Sequence, residues 1–142
     1  MYNDLLIDHF INPRNVGRLP DPDGVGSTGD PSCGDFLRIY IRIREQRIED
    51  ISFEVFGCPA AIATSSILTE MARGMTLDQA LDLADNDIVE ALGGLPEHKI
   101  HCSNLGAKAL HEAVRYYLVR RRKGLEGDLQ RVVGGGVGPG VD

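Results

Sequence analysis

Residues 35–44 read Asp35-Phe36-Leu37-Arg38-Ile39-Tyr40-Ile41-Arg42-Ile43-Arg44. Leu37, Ile39, Ile41 and Ile43 fall on one side of an extended chain and Arg38, Arg42 and Arg44 on the other, the period-two pattern of a strand with one buried face. After a short polar turn, Ile51, Phe53 and Val55 alternate with Ser52 and Glu54, which predicts a second strand and an antiparallel hairpin. From Pro59 the apolar spacing becomes helical. Pro59 suits a first helical position, Ile62, Ile67, Leu68 and Met71 supply an apolar stripe, and Gly74 ends it. Thr76-Leu77-Asp78-Gln79 fits a capping box that opens a short helix. Asp87-Ile88-Val89-Glu90 predicts another, closed by Gly93-Gly94. A long helix begins near Cys102 or Ser103, carries Leu105, Ala109, Ala113, Tyr116 and Tyr117 at helical spacing, and runs into Arg120-Arg121-Arg122-Lys123. Upstream, Leu5, Leu6, Ile7, Phe10 and Ile11 are spaced for a short amphipathic helix that stops before Asn12-Pro13. Residues 12–34, rich in Pro and Gly, read as mostly loop with room for one short strand. Strands first and helices afterwards make an α+β fold: a small antiparallel sheet with helices packed on one face.

The 142 residues suffice for one domain with its own core. Seven of the 17 glycines fall in the last 19 residues, which places the folded domain at residues 1–123 and a Gly-rich flexible tail at 124–142. Fifteen Lys and Arg against 21 Asp and Glu give a formal charge of −6, which argues against general nucleic-acid binding. No window approaches the length of a membrane span, and Met1-Tyr2-Asn3-Asp4 lacks the regions of a signal peptide. The chain therefore reads as cytoplasmic, with no membrane partner. The basic run Arg120–Lys123 admits two readings, a docking patch or a solvated helix end that complements the helix dipole, and the second is the simpler.

Three cysteines, 25 and 44 residues apart, are the wrong arithmetic for a disulfide framework and too far apart for a zinc finger. Each sits at an element boundary: Cys33 before the first clear strand, Cys58 between the second strand and the Pro59 helix, Cys102 at the start of the last helix. Two of the three are at helix N-termini, where the dipole and unpaired N–H groups stabilise a thiolate. His101 adjoins Cys102, Asp35 follows Cys33 by two residues, and Gly34 and Gly57 leave room for backbone to approach a bulky ligand. Three thiolates with an imidazole or carboxylate make a four-ligand set for zinc or an iron–sulfur cluster, provided the fold assembles it.

The segments Cys33-Gly34-Asp35, Phe56-Gly57-Cys58-Pro59-Ala60-Ala61-Ile62-Ala63-Thr64-Ser65-Ser66 and Leu95-Pro96-Glu97-His98-Lys99-Ile100-His101-Cys102-Ser103-Asn104 resemble the three cysteine motifs of the IscU/NifU family of iron–sulfur assembly scaffolds. His9-Phe10-Ile11-Asn12-Pro13-Arg14-Asn15-Val16-Gly17 is similar to that family's opening signature. The resemblance spans about residues 2 to 118. It implies an IscU/NifU N-terminal, SufE-like fold in which Cys33, Cys58 and Cys102 bind the cluster, with His101 or Asp35 as fourth ligand. It also implies that Cys102 accepts persulfide sulfur from a cysteine desulfurase and that Lys99 lies beside the site. Where bacterial IscU has Leu-Pro-Pro-Val-Lys, this chain has Leu95-Pro96-Glu97-His98-Lys99, which counts against a specialised heat-shock chaperone as partner. Pro59-Ala60 replaces the usual Gly-Ser after the second cysteine. His101, and the absence of a SufU-like insertion between Cys58 and Cys102, favour a stand-alone IscU-like scaffold.

The implied function is assembly of [2Fe–2S] clusters from iron and desulfurase-derived sulfur, with an electron donor such as ferredoxin, and transfer to acceptor apoproteins. Such a protein is a carrier, not a turnover catalyst. Three thiolates plus one weaker donor, all on loops and helix starts, suit a cluster that must leave. A loop-borne site can also share ligands across a homodimer. The rivals are a SufU-like zinc-dependent sulfurtransferase or persulfide relay, and a structural zinc domain, since Zn²⁺ satisfies the same Cys₃ set.

Overall fold

The computed structural model describes residues 4–30, 34–94 and 102–133, with the side chains of residues 30, 102–104 and 122–133 outside that description. Helix α1 (Asp4–Ile11) comes first. Strands β1 (Gly24–Asp30), β2 (Asp35–Arg44) and β3 (Arg47–Phe56) form one antiparallel sheet in the order β1-β2-β3. Helices α2 (Pro59–Ala72), α3 (Leu77–Asp82), α4 (Asp85–Ala91) and α5 (Cys102–Val133) follow. This is the α+β architecture that the sequence predicts. Leu37, Ile39 and Ile41 of β2 and Ile51 and Phe53 of β3 are buried with Leu68, Ile88, Leu110 and Val114 of the helices and with Leu92 directly after α4. Each such side chain contributes about 1.5–3 kcal/mol by leaving water. The hairpin turns through Glu45 (φ 53°) and Gln46 (φ 64°), both left-handed, and the Gln46 carbonyl accepts the N–H of Leu77 (3.1 Å). At the start of α3, Thr76 Oγ1 accepts the Gln79 N–H (3.1 Å) and Gln79 Oε1 accepts the Thr76 N–H (2.9 Å), the expected capping box.

β1 is longer than the composition of residues 12–34 suggests. Its sequence, GVGSTGD, has few residues that favour strands, yet all seven pair with β2. The glycines serve packing. A Cβ on Gly24 would collide with the Ala113 carbonyl oxygen, and one on Gly26 with the backbone of Ala109 and Ala113. Helix α5 thus lies directly on the strand's backbone, an approach that only glycine permits.

Helix α2 differs from its expected stripe. Ile62 and Ile67 are only partly buried, whereas Ala60, Ala61, Ala63, Thr64, Ser65, Ser66, Leu68, Thr69 and Ala72 are buried. Small residues let the other elements close around the helix. Ser65 and Thr64 satisfy their hydroxyls on the Ala61 carbonyl (2.7 and 3.1 Å). Helix α5 continues to Val133, so the basic run at 120–123 sits within the helix and does not cap its end. The division expected between residues 123 and 124 falls inside that helix.

The N-terminal signature is a structural clasp. Ser66 Oγ accepts the Arg14 N–H (2.9 Å) and lies 2.7 Å from His9 Nδ1. Asn15 Nδ2 donates to Thr69 Oγ1 (3.0 Å), and Arg73 donates to Asn15 Oδ1 (2.7 Å). Phe53 N–H donates to the Asn15 carbonyl (2.9 Å) and Gly17 N–H to the Phe53 carbonyl (2.8 Å), so residues 15–17 cover the edge of β3. His9 Nδ1 and Ser66 Oγ share one proton in their bond, and the imidazole Nε2 faces Glu70 at 3.7 Å.

Two predictions follow from this packing. Gly26→Val should cost about 3 kcal/mol in chemical denaturation by overpacking the β1–α5 contact. Gly29→Ala, whose Cβ would have its nearest neighbour at 3.3 Å, should cost less than about 1 kcal/mol; equal losses would contradict the close approach. Burial, then the nearby Arg14 charge, hold the His9 pKa below its ordinary 6.5 against the opposing pull of Glu70 and Asp8. The unfolded chain therefore binds this proton more readily, so stability is full above pH 6.5 and falls as the pH drops below it. Denaturation midpoints measured between about pH 7.5 and 5.5 should fall, and His9→Gln should flatten that slope. An unchanged slope would mean that His9 is not buried in its neutral form.

Candidate functional site

The β2–β3 register sets Phe36 opposite Phe56, so the first residue of β2 and the chain leaving β3 meet at one end of the sheet. The Asp35 carboxylate, 4% exposed, turns to that chain. Its Oδ1 accepts the Cys58 N–H at 3.2 Å, and the half-buried Cys58 thiol donates to Oδ2 at 3.6 Å. Cys58 is the N-cap of α2, extended at φ −76°, ψ 167°. Its carbonyl accepts the Ile62 N–H (3.1 Å). Pro59 at the first helical position has the required φ but no N–H, so the free donors of this helix start begin at Ala60.

Gly57 has a different use from the one its sequence position suggests. A Cβ there would lie 2.8 Å from Asp35 Cγ and collide with Oδ1, so the space a side chain would fill is occupied by the carboxylate. Gly34, at φ 74°, has nothing within 4 Å of its absent Cβ and serves the turn into β2 through its left-handed backbone.

Asp35 and Cys58 are thus brought together as a hard oxygen and a soft sulfur donor on neighbouring elements. Such a pair is suited to a borderline metal such as zinc or iron once the thiol gives up its proton. Cys102 is the first residue of α5, and its side chain lies outside the description. Cys33, Lys99 and His101 lie outside the described residues. Among the described side chains, no three of His, Cys, Asp and Glu converge on a metal-sized space.

Sequence reasoning missed the apolar surface beside this end. Of the apolar residues in α1 only Leu6 is buried; Leu5, Ile7, Phe10 and Ile11 are exposed. Leu6, Ile7 and Phe10 line a groove of about 130 Å³ with Pro59 and Ala60, the residues directly after Cys58. The available signal was a surplus: a helix of eight residues carrying five apolar ones holds more than a single buried face uses.

Gly57→Ala should cost about 1–3 kcal/mol in denaturation, because the new methyl displaces the Asp35 carboxylate. In an Asp35→Ala background the same change should be nearly neutral, giving a coupling of about 1 kcal/mol or more. Additive losses would show that Gly57 acts independently of Asp35.

With this geometry in place, the relatives are informative. Residues 1–124 match the family described as the NifU-like N terminal domain. The iron-sulfur cluster assembly scaffold protein IscU 1 of Archaeoglobus fulgidus is 52% identical over 139 residues, covering 93% of this chain and 91% of that protein. The protein of the same name, IscU, from Azotobacter vinelandii is 48% identical over 128 residues, covering 87% and 98%. Among solved structures, the N-terminal part of a NifU-like protein from Brucella abortus matches with a TM-score of 0.67 over 82% of this chain and 93% of that one; at 22% identity it speaks to the fold alone. The fold, the three cysteine motifs and these matches agree: the chain belongs to the NifU-like N-terminal domain family.

Proposed function

We propose that this protein is a scaffold on which [2Fe–2S] clusters are built from iron and desulfurase-derived sulfur, and from which they pass to acceptor apoproteins. The observation that carries this reading is the meeting of the buried Asp35 carboxylate with the Cys58 thiol at the end of the hairpin. The 52% identity over 139 residues to a protein named as a cluster-assembly scaffold supports it. In this reading Cys33, Cys58 and Cys102 supply three thiolates, and His101 or Asp35 completes the set. Lys99 is an electrostatic partner for the thiolates. The cluster is cargo, and a mixed donor set with one hard ligand holds it less firmly than four thiolates would.

Sulfur arrives through Cys102. Its thiolate attacks the outer sulfur of a cysteine desulfurase persulfide, and the desulfurase thiolate leaves. Two electrons from a ferredoxin-type donor then cleave the Cys102 persulfide, releasing sulfide to iron and restoring the thiolate. The protein carries sulfur and cluster and is not itself an enzyme. The reading places it in the cytoplasm; no helix among the described residues is long and apolar enough to cross a membrane.

Anaerobic incubation with ferrous iron, cysteine and a desulfurase should give a visible-absorbing cluster that moves to an apo-ferredoxin. Zinc alone in the site, with persulfide passed on and no cluster formed, would replace the scaffold by a zinc-dependent sulfur relay. Cys58→Ala should abolish stable cluster binding, and unchanged absorbance would remove Cys58 from the ligand set. Comparing His101→Ala with Asp35→Ala assigns the fourth ligand to whichever loss bleaches the cluster.

A further inference from the structure

β1 and β3 are the outer strands of the sheet, and only β3 has its free edge closed. Residues 15–17 cover it through the Asn15 carbonyl and the Gly17 N–H. β1 pairs with β2 along all seven residues, and among the described residues nothing bonds to the backbone of its other edge. Every second residue of a strand turns its N–H and C=O to the same side, so this edge presents a row of donors and acceptors open to another chain. Folded proteins blunt such edges with Lys, Pro, a bulge or a covering segment. GVGSTGD contains neither Lys nor Pro, and its register against β2 runs without a bulge.

The open edge is also one wall of a groove. Helix α5 runs antiparallel to β1, with Gly24 against Ala113 and Gly26 against Ala109. Beside this contact, Ser27 and Thr28 line an opening of about 390 Å³ with Lys108, His111, Glu112 and Arg115. Adjacent strand residues point to opposite faces, so an opening lined by both lies at the free edge. Further along, Asp21, Asp23 and Val25 line another of about 580 Å³ with Tyr116, Arg120 and Arg121. The groove carries an excess of cations in a chain whose formal charge is −6. Arg115 is paired with Glu112 at 3.5 Å, and Asp23 Oδ2 accepts the Ile43 N–H (2.6 Å). Lys108, Arg120 and Arg121 have no carboxylate partner among the described residues, and Asp21 is the one carboxylate of the walls without a cation. The Arg120 guanidinium lies 5.6 Å from the centre of the Tyr116 ring, a contact that steadies it beside the groove. From Lys108 to Arg120 the helix rises about 18 Å, close to the length of a five-residue strand, about 17 Å.

We propose that the free edge of β1 binds an extended acidic segment of a partner protein, which joins the sheet as a fourth strand and sets its carboxylates against Lys108, Arg115, Arg120 and Arg121. Backbone bonds to the edge supply the hold, and the alternate side chains that face α5 supply the selection. A second copy of this chain is the poorer occupant, because β1 paired with its own copy would set one basic α5 beside another. At its far end β1 reaches the site: Asp30 stands opposite Asp35 across the ladder. A partner tied to this edge by a short segment is therefore held near the Asp35–Cys58 end of the sheet at high effective concentration, whatever that end binds.

The test uses the full chain and an end-blocked peptide of about seven residues, the length of β1, alternating glutamate and valine. Fluorescence anisotropy follows its affinity, and amide shifts locate it. Amides of β1 and of the facing side of α5 should move. N-methylation of one alternate set of peptide residues should abolish binding and of the other set leave it intact, because only one set faces the edge. Arg115→Glu combined with Arg120→Glu should weaken binding at least about tenfold, and added salt should weaken it for the unsubstituted chain. A peptide with lysine in place of glutamate should not bind. No binding of the acidic peptide at millimolar concentration, equal binding of the lysine peptide, or the same response to both methylated sets overturns the proposal. So does an edge already taken by a second copy, seen as a dimer in sedimentation. None of these readouts requires a metal or a cluster, so failure here leaves the scaffold reading untouched.

Discussion

In the β2–β3 hairpin, inward-facing Leu37, Ile39 and Ile41 pair with Val55, Phe53 and Ile51, and burying that row is what holds the register. A shift by a single residue would turn the row to solvent, because side chains alternate with period two. The same shift would carry Asp35 away from Cys58. The force that positions the carboxylate therefore comes from apolar packing several residues distant, and no strong bond at the site itself is needed. Gly57 removes the one steric obstacle to the contact, and Pro59 fixes the backbone where α2 departs.

This arrangement suits the site of the proposed scaffold, which must fill and empty. The scaffold behind it is rigid: helix α5 rests on the bare backbone of β1, and the clasp from His9 to Gly17 ties α1 and the edge of β3 to α2. The donors lie where the strands end and a helix begins, the part of a fold that reorganises at least cost. Asp35 holds the Cys58 N–H and thiol, so in the proposed scaffold a metal would compete with this internal hydrogen bond for the Cys58 thiolate. Such competition would lower affinity and ease departure, as the proposed cargo role requires and a permanent electron-transfer centre does not.

Much of the fold was legible because its signals are local. The alternation in residues 35–44, the capping box at Thr76 and the glycines after α4 each state their own structure. What stayed hidden depends on distant neighbours. β1 could not be read at full length because its glycines answer to α5, about 80 residues away in the chain. The burial of small residues and hydroxyls in α2 depends on what surrounds the helix, so its isoleucines misled. At the site, the family resemblance implied that Cys58 and either Asp35 or His101 converge, yet the geometric reason Asp35 reaches Cys58, the absent side chain of Gly57, appears only in three dimensions.

The most direct measurement is a count of iron and acid-labile sulfide, with an absorption spectrum, on the protein reconstituted anaerobically and freed of unbound metal. A cluster scaffold holds equal amounts of iron and sulfide, shows a visible charge-transfer band, and loses all three on addition of an apo-acceptor. Zinc bound without sulfide, or a cluster that stays in place when acceptor is added, would contradict the scaffold reading.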